Sequence, residues 1–182
     1  RRIGNLFGLA VSLTNLAILT SSKSNLEQAI GYMEEALSLD RQLGNLDGIA
    51  DSLGNLASLV AQTGDLARAA QLDGEALEIR RELGDSMSIA FSLESIGGTS
   101  ARAGHWADAV RMFSAAQRLR DEIAAPLPAA EMASWEFGVG LCRDGLASAD
   151  FDRAWAEGQG ISVGDAMALA RRVAATIARA TA

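Results

Sequence analysis

Shifted against itself by about 40 residues, the chain matches without gaps over three successive blocks, residues 1–40, 41–80 and 81–120. Identities between the first two blocks fall at Gly4/Gly44, Asn5/Asn45, Leu6/Leu46, Gly8/Gly48, Ser12/Ser52, Leu13/Leu53, Asn15/Asn55, Leu16/Leu56, Ala17/Ala57, Ala29/Ala69, Ala36/Ala76 and Leu37/Leu77. The third block keeps Gly84, Ile89, Ala90, Ser92, Leu93, Gly104, Ala109 and Ala116 at the same offsets, and a fourth starts at Asp121 and diverges over 121–145. A chain built this way adds one supersecondary unit per period, and each unit buries its apolar side only by stacking on the next.

The unit is a helical hairpin. Spacing and punctuation predict a first helix over Asp47 to Gln62, with Leu53, Leu56, Ala57 and Val60 on one face, ended at Gly64. A second helix over Leu66 to Leu83 carries Ala69, Leu72, Ala76, Ile79 and Leu83 as an apolar stripe. The stripe recurs as Ala29, Tyr32, Ala36, Leu39 and Leu43, and as Ala109, Met112, Ala116, Leu119 and Ile123. Gly44-Asn45 and Gly84-Asp85 close the second helices with a residue able to take positive φ. Small residues at Ala17, Ala57 and Gly97, and at Ala29, Ala69 and Ala109, let the two backbones of a hairpin approach closely. With 49% hydrophobic residues, 5% aromatic residues and 2 prolines, the composition suits helices better than strands.

A period near 40 alone favours HEAT or armadillo units, but the residues point elsewhere. Leu56-Ala57, Val60, Gly64, Ala69 and Ala76 set a large–small pair before a bulky residue, a turn glycine and two alanines. Block three repeats this as Ile96-Gly97, Ser100, Gly104, Ala109, Phe113 and Ala116. Block one has Leu16-Ala17, Thr20, Ala29, Met33 and Ala36, with Ser24 in the glycine's place. This resembles the tetratricopeptide repeat, in a long variety: Arg41, Arg81 and Asp121 stand where its terminal proline is usual. The resemblance covers about two thirds of the chain and implies an all-α, right-handed α-α superhelix of about 3.5 hairpins.

Beyond the repeats, Pro126 and Pro128 precede a helix over Ala129 to Cys142, and Ser162 with Asp165 forms a capping box for a last helix. Residues 146–182 read as a helical cap, with Phe151 and Trp155 over the end of the stack. The stretch from Asp150 to Ala170 is similar to the segment that ends the repeat region in actinobacterial LuxR-type regulators and related AAA-ATPase- or cyclase-linked proteins. That likeness implies a sensor role beside a nucleotide-hydrolysing switch and a helix-turn-helix. Arg1-Arg2 reads as the tail of a helix–loop junction, so the chain is expected to be part of a longer protein.

The chemistry-bearing residues are sparse. His105 is the only histidine and reads as a turn or helix-capping residue; Cys142 is the sole thiol and reads as a small buried residue, leaving no ligand set for a metal. Gly44-x-x-x-Gly48 lacks a preceding strand and the phosphate-binding lysine. Glu34-Glu35 and Asp121-Glu122 read as solvated helix faces. No catalytic residue and no cofactor is expected, and the chain is not read as an enzyme. A net charge of -7 with dispersed basic residues argues against nucleic acid, and no apolar run reaches the roughly 20 residues a bilayer needs. A cytoplasmic protein follows.

What remains is the inner wall that the resemblance implies, formed by the first helices: Val11, Thr14 and Ile18; Asp51, Ser58 and Gln62; Phe91, Glu94 and Arg102; Glu131 and Ser134. The function this predicts is binding of a protein or peptide partner, or of other domains of the parent protein, with Phe91 read either as an aromatic anchor or as a core residue. Self-association into a homo-oligomer through an unfilled end, and small-molecule sensing between helices, are the alternatives. The wall lacks the paired Lys and Arg that clamp a C-terminal carboxylate or an acidic peptide, so a binder of chaperone tails is not expected.

Overall fold

The structure is a computed structural model that describes residues 2–21 and 25–180. Among these residues there are nine helices and no strand: α1 Arg2–Thr20, α2 Leu26–Leu43, α3 Leu46–Thr63, α4 Leu66–Leu83, α5 Ser86–Arg102, α6 Trp106–Glu122, α7 Ala129–Gly145, α8 Ser148–Gly160 and α9 Val163–Arg179. The first six pair as hairpins α1–α2, α3–α4 and α5–α6, and these stack through α2 on α3 and α4 on α5. The result is a helical solenoid, as the period requires.

Local chemistry sets the helix ends. Gly44, Gly64, Gly84 and Gly104 all have φ between 64° and 92°, the left-handed region in which a side chain is strained. Asp65 and Asp85 cap the following helices by accepting from the backbone N–H of Arg68 at 3.1 Å and of Ser88 at 2.9 Å. Ser162 accepts from Asp165 N–H at 3.1 Å and donates its hydroxyl to the Asp165 carboxylate at 2.7 Å, the expected start of α9. His105 occupies the N-cap position of α6, yet its side chain caps nothing. Ser24 lies outside the described residues.

The small residues are where the backbones meet: Ala17, Ala29, Ala57, Ala69 and Ala109 are fully buried, and the open side of Gly97 faces the Phe113 ring. The expected second-helix stripe needs correction. Leu83 and Ile123 are exposed and Leu72 and Ile79 only half-buried, whereas Ala70, Asp73, Leu77 and Arg80 join Ala69 and Ala76 in the interior of α4. A second helix is wedged between its own first helix and the first helix of the next hairpin, so its buried arc is wider than one stripe and turned toward the later neighbour.

The polar residues drawn into that arc form a repeating seam. Asp40 at the end of α2 accepts from Ser52 Oγ and Asn45 Nδ2, each at 3.0 Å. One period later Arg80 donates to Ser92 Oγ at 2.9 Å and to Asp51 at 2.9 Å, with its guanidinium 4.7 Å from the centre of the Phe91 ring. Arg120, one period on again, makes a two-pronged pair with Glu94 at 2.6 and 2.7 Å. Inter-repeat pairs on the outside, such as Arg41–Glu75 at 2.6 Å, are half-exposed and contribute little.

After α6 the chain stops adding hairpins. α7 packs on α5 and α6 as another first helix would, but α8 barely touches α7 and lies across α6 instead. Gly158 makes that crossing possible: a Cβ there would stand 2.5 Å from the Arg111 carbonyl and 2.7 Å from Ser114 Cβ. Phe151 stacks on Trp155 at 5.9 Å, and together with Val139, Cys142 and Phe113 they close the core between α5, α6 and α7. α9 then turns back and buries Ala166, Met167, Ala170, Val173, Ala174 and Ile177 against Ala70 and Leu77 of α4 and Met112, Ala116 and Leu119 of α6. It covers the second-helix flank of the stack rather than its end.

Candidate functional site

With α4 and α6 covered by α9, the face formed by α3, α5 and α7 stays open. These first helices lie side by side, and between them is a cleft lined by Ser58 of α3, Phe91, Glu94, Ser95 and Arg102 of α5, Glu131, Ser134 and Trp135 of α7, and Leu127. Its enclosed volume is about 70 Å³. Small-molecule pockets run to about 300 Å³ or more, so this hollow takes the tip of one inserted side chain rather than a whole ligand.

Six wall residues expected from the sequence, Ser58, Phe91, Glu94, Arg102, Glu131 and Ser134, converge on this cleft. Val11, Thr14 and Asp51 line a separate hollow between α1 and α3. Ile18 and Gln62 are exposed and lie in neither; Gln62 donates to the Ser58 carbonyl at 3.2 Å.

Electrostatics divide the cleft's charges into spent and unspent. Glu94 is spent on Arg120; that contact and the Glu94 charge hold the Arg120 proton more firmly, against the opposing effect of burial. Asp51, in the separate hollow between α1 and α3, is spent on Arg80, a pair in which Arg80 is 2% and Asp51 67% exposed. Arg102 has no carboxylate partner among the described residues. It donates to the Gly98 carbonyl at 3.3 Å, lies 4.9 Å from the centre of the exposed Phe137 ring, and is half-desolvated, which lowers its affinity for the proton. The Glu131 carboxyl is pushed up first by burial and then by the nearby Glu94 charge, with Arg120 pulling the other way. One cation and one carboxylate thus line the cleft without an ion-pair partner among the described residues.

Beneath the floor is a group that sequence reasoning missed. Asp73 of α4 is buried and accepts from Ser95 Oγ at 2.6 Å and Thr99 Oγ1 at 2.9 Å. Burial pushes its carboxyl up from 3.8 to about 6, against the two hydroxyls and the charge of Arg80. Asp73, Arg80 and Arg120 reach the site from second helices, outside the wall considered above. The available signal was a polar residue in line with Ala70 and Leu77, and one at the last position of every 40-residue block. Cys142 is buried in an apolar cluster that pushes its thiol up to about 12, which makes it packing material rather than a nucleophile.

Repeated hairpins, αL glycine turns and an open wall of first helices define a helical repeat scaffold. The family model of the tetratricopeptide repeat matches residues 8–82 and again residues 48–122, and the chain belongs to that family. No curated protein and no solved structure matches the chain. Tetratricopeptide repeats are a non-enzymatic scaffold and generally mediate protein–protein interaction. No described helix is long and apolar enough to cross a membrane.

Proposed function

We propose that this chain binds an extended segment of a partner protein in the cleft between α3, α5 and α7, and that it does so as the sensor region of a bacterial signalling or transcriptional regulator. The observation that carries the binding site is Arg102: a half-desolvated guanidinium with no carboxylate partner among the described residues, lining a cleft with Phe91 and Trp135 in its wall. A carboxylate of the guest pairs with Arg102, and a donor of the guest meets Glu131. A single side chain fills the small hollow beside Phe91. No reaction is assigned to these residues. The regulator role rests on the likeness of the Asp150–Ala170 segment to LuxR-type and AAA-ATPase-linked proteins alone.

The test is a displayed-peptide selection against the chain, counter-screened with Arg102→Ala and Phe91→Ala. Enriched peptides should carry an acidic residue, and Arg102→Ala should weaken them about tenfold or more, the loss of a charge-assisted pair. Selected peptides indifferent to both substitutions would place binding elsewhere.

A further inference from the structure

Around Asp73 the hydroxyls that α5 contributes to the cleft accept hydrogen bonds and have none to give. Ser95 and Thr99 both line the cleft, and each donates its one hydroxyl proton to Asp73, at 2.6 and 2.9 Å. That carboxyl, pushed up to about 6, is ionised at neutral pH and takes both protons. Neither hydroxyl keeps a proton for a guest, and what each still offers is a lone pair. Glu94 is taken up by Arg120, but Glu131 adds a carboxylate with no ion pair among the described residues. Asn55, Ser58 and Ser134, which also line the cleft, accept as readily as they donate.

Size and the remaining wall narrow the choice further. The enclosed volume of about 70 Å³ has room for about two water-sized groups, such as an ammonium and the methylene beside it. A guanidinium is planar and larger, with five donors to satisfy. Phe91, Phe113 and Trp135 supply rings for the methylene stem of a long side chain. A neutral donor would leave the half-buried Glu131 carboxylate without a counter-charge, and an apolar tip would leave the acceptors dry. Arg102, the cation of the cleft, lies about 10 Å beyond Ser95 along α5, the length of about three residues of an extended guest.

We propose that the guest side chain seated in this hollow is a lysine, its ammonium donating to Ser95, Thr99 and Glu131, with the guest's carboxylate on Arg102 about three residues away. This rests on the reading of the cleft as a partner site and adds the chemical class of the partner: a segment that carries a lysine and an acidic residue at that separation.

A random peptide library displayed against the whole chain tests both levels. Enriched peptides should share a lysine about three residues from their acidic residue. Made again with acetyl-lysine, arginine or norleucine in its place, they should bind about tenfold or more weakly. Glu131→Gln should abolish the preference for lysine over norleucine. Asp73→Asn, whose amide donates to one hydroxyl and so releases that hydroxyl's proton, should reduce it; a melting curve shows that each variant is folded. Peptides that depend on Arg102 and Phe91 but share no lysine, or that tolerate norleucine there, would overturn this assignment and leave the partner cleft standing. So would a lysine preference unaltered by Glu131→Gln. Peptides indifferent to Arg102→Ala and Phe91→Ala, or a library that yields none, would overturn both.

Discussion

Replacing Asp73 by asparagine should change the protein's stability by an amount that depends on pH, and the size follows from the carboxyl's surroundings. Folding moves this carboxyl from 3.8 to about 6, because burial outweighs the Ser95 and Thr99 hydroxyls and the Arg80 charge. Between those two values the folded protein holds a proton that the unfolded chain has released, so stability falls as pH rises through the window. The contribution is fully present below about pH 4 and gone above about pH 7. A shift of about two units at about 1.4 kcal/mol each amounts to about 3 kcal/mol, of which about 2 kcal/mol falls between pH 4.5 and 7.5. Asparagine keeps the shape, offers an acceptor and a donor to the two hydroxyls, and cannot titrate. Urea unfolding of both proteins at the two pH values should therefore show the stability of Asp73→Asn, relative to the natural chain, rising by about 2 kcal/mol toward the higher pH. Contributions from Glu131 and other carboxyls cancel in the difference. A difference that stays flat within about 0.5 kcal/mol would mean that Asp73 titrates as it does in the unfolded chain, and the account of the cleft floor would fail.

Leu56→Ala at the α2–α3 seam should cost about 2 to 5 kcal/mol in denaturant unfolding, and a loss under about 0.5 kcal/mol would refute the repeat register. Gly158→Ala drives a methyl into the Arg111 carbonyl and should destabilise by about 1 to 3 kcal/mol, with faster proteolysis at the ends of α8; unaltered proteolysis would count against the crossing of α8 on α6. Asp51→Ala removes the exposed member of a pair whose other member is buried, so Arg80 loses its counter-charge. A loss of about 1 to 3 kcal/mol is expected by thermal melting, whereas an exposed pair at the surface would give under about 1 kcal/mol. The Cys142 thiol, pushed up to about 12, should resist iodoacetamide at pH 8 until urea unfolds the chain, and alkylation at native rates would contradict its burial.

The repeat itself was open to reading from the text. Gly44, Gly64, Gly84 and Gly104 mark turns because only glycine takes their backbone without strain, and the buried alanines mark close helix pairs because nothing larger fits. These are local requirements, so they leave a trace at each position. Phe91, Glu94 and Arg102 came to the wall through the resemblance to the repeat family rather than through spacing, and in the structure they line one cleft. What decided the rest was contact between elements far apart in sequence. Leu83 and Ile123 were drawn into an apolar stripe and lie exposed, while Asp73 and Arg80 were overlooked and lie buried, because a second helix faces two neighbours and the period records only one. The return of α9 along α4 and α6, which leaves the first-helix wall as the open face, depends on packing across about 90 residues between Leu77 and Met167. Periodicity dictates which side of a helix is apolar; only tertiary packing decides which neighbour covers it, because the hydrophobic effect has no direction of its own.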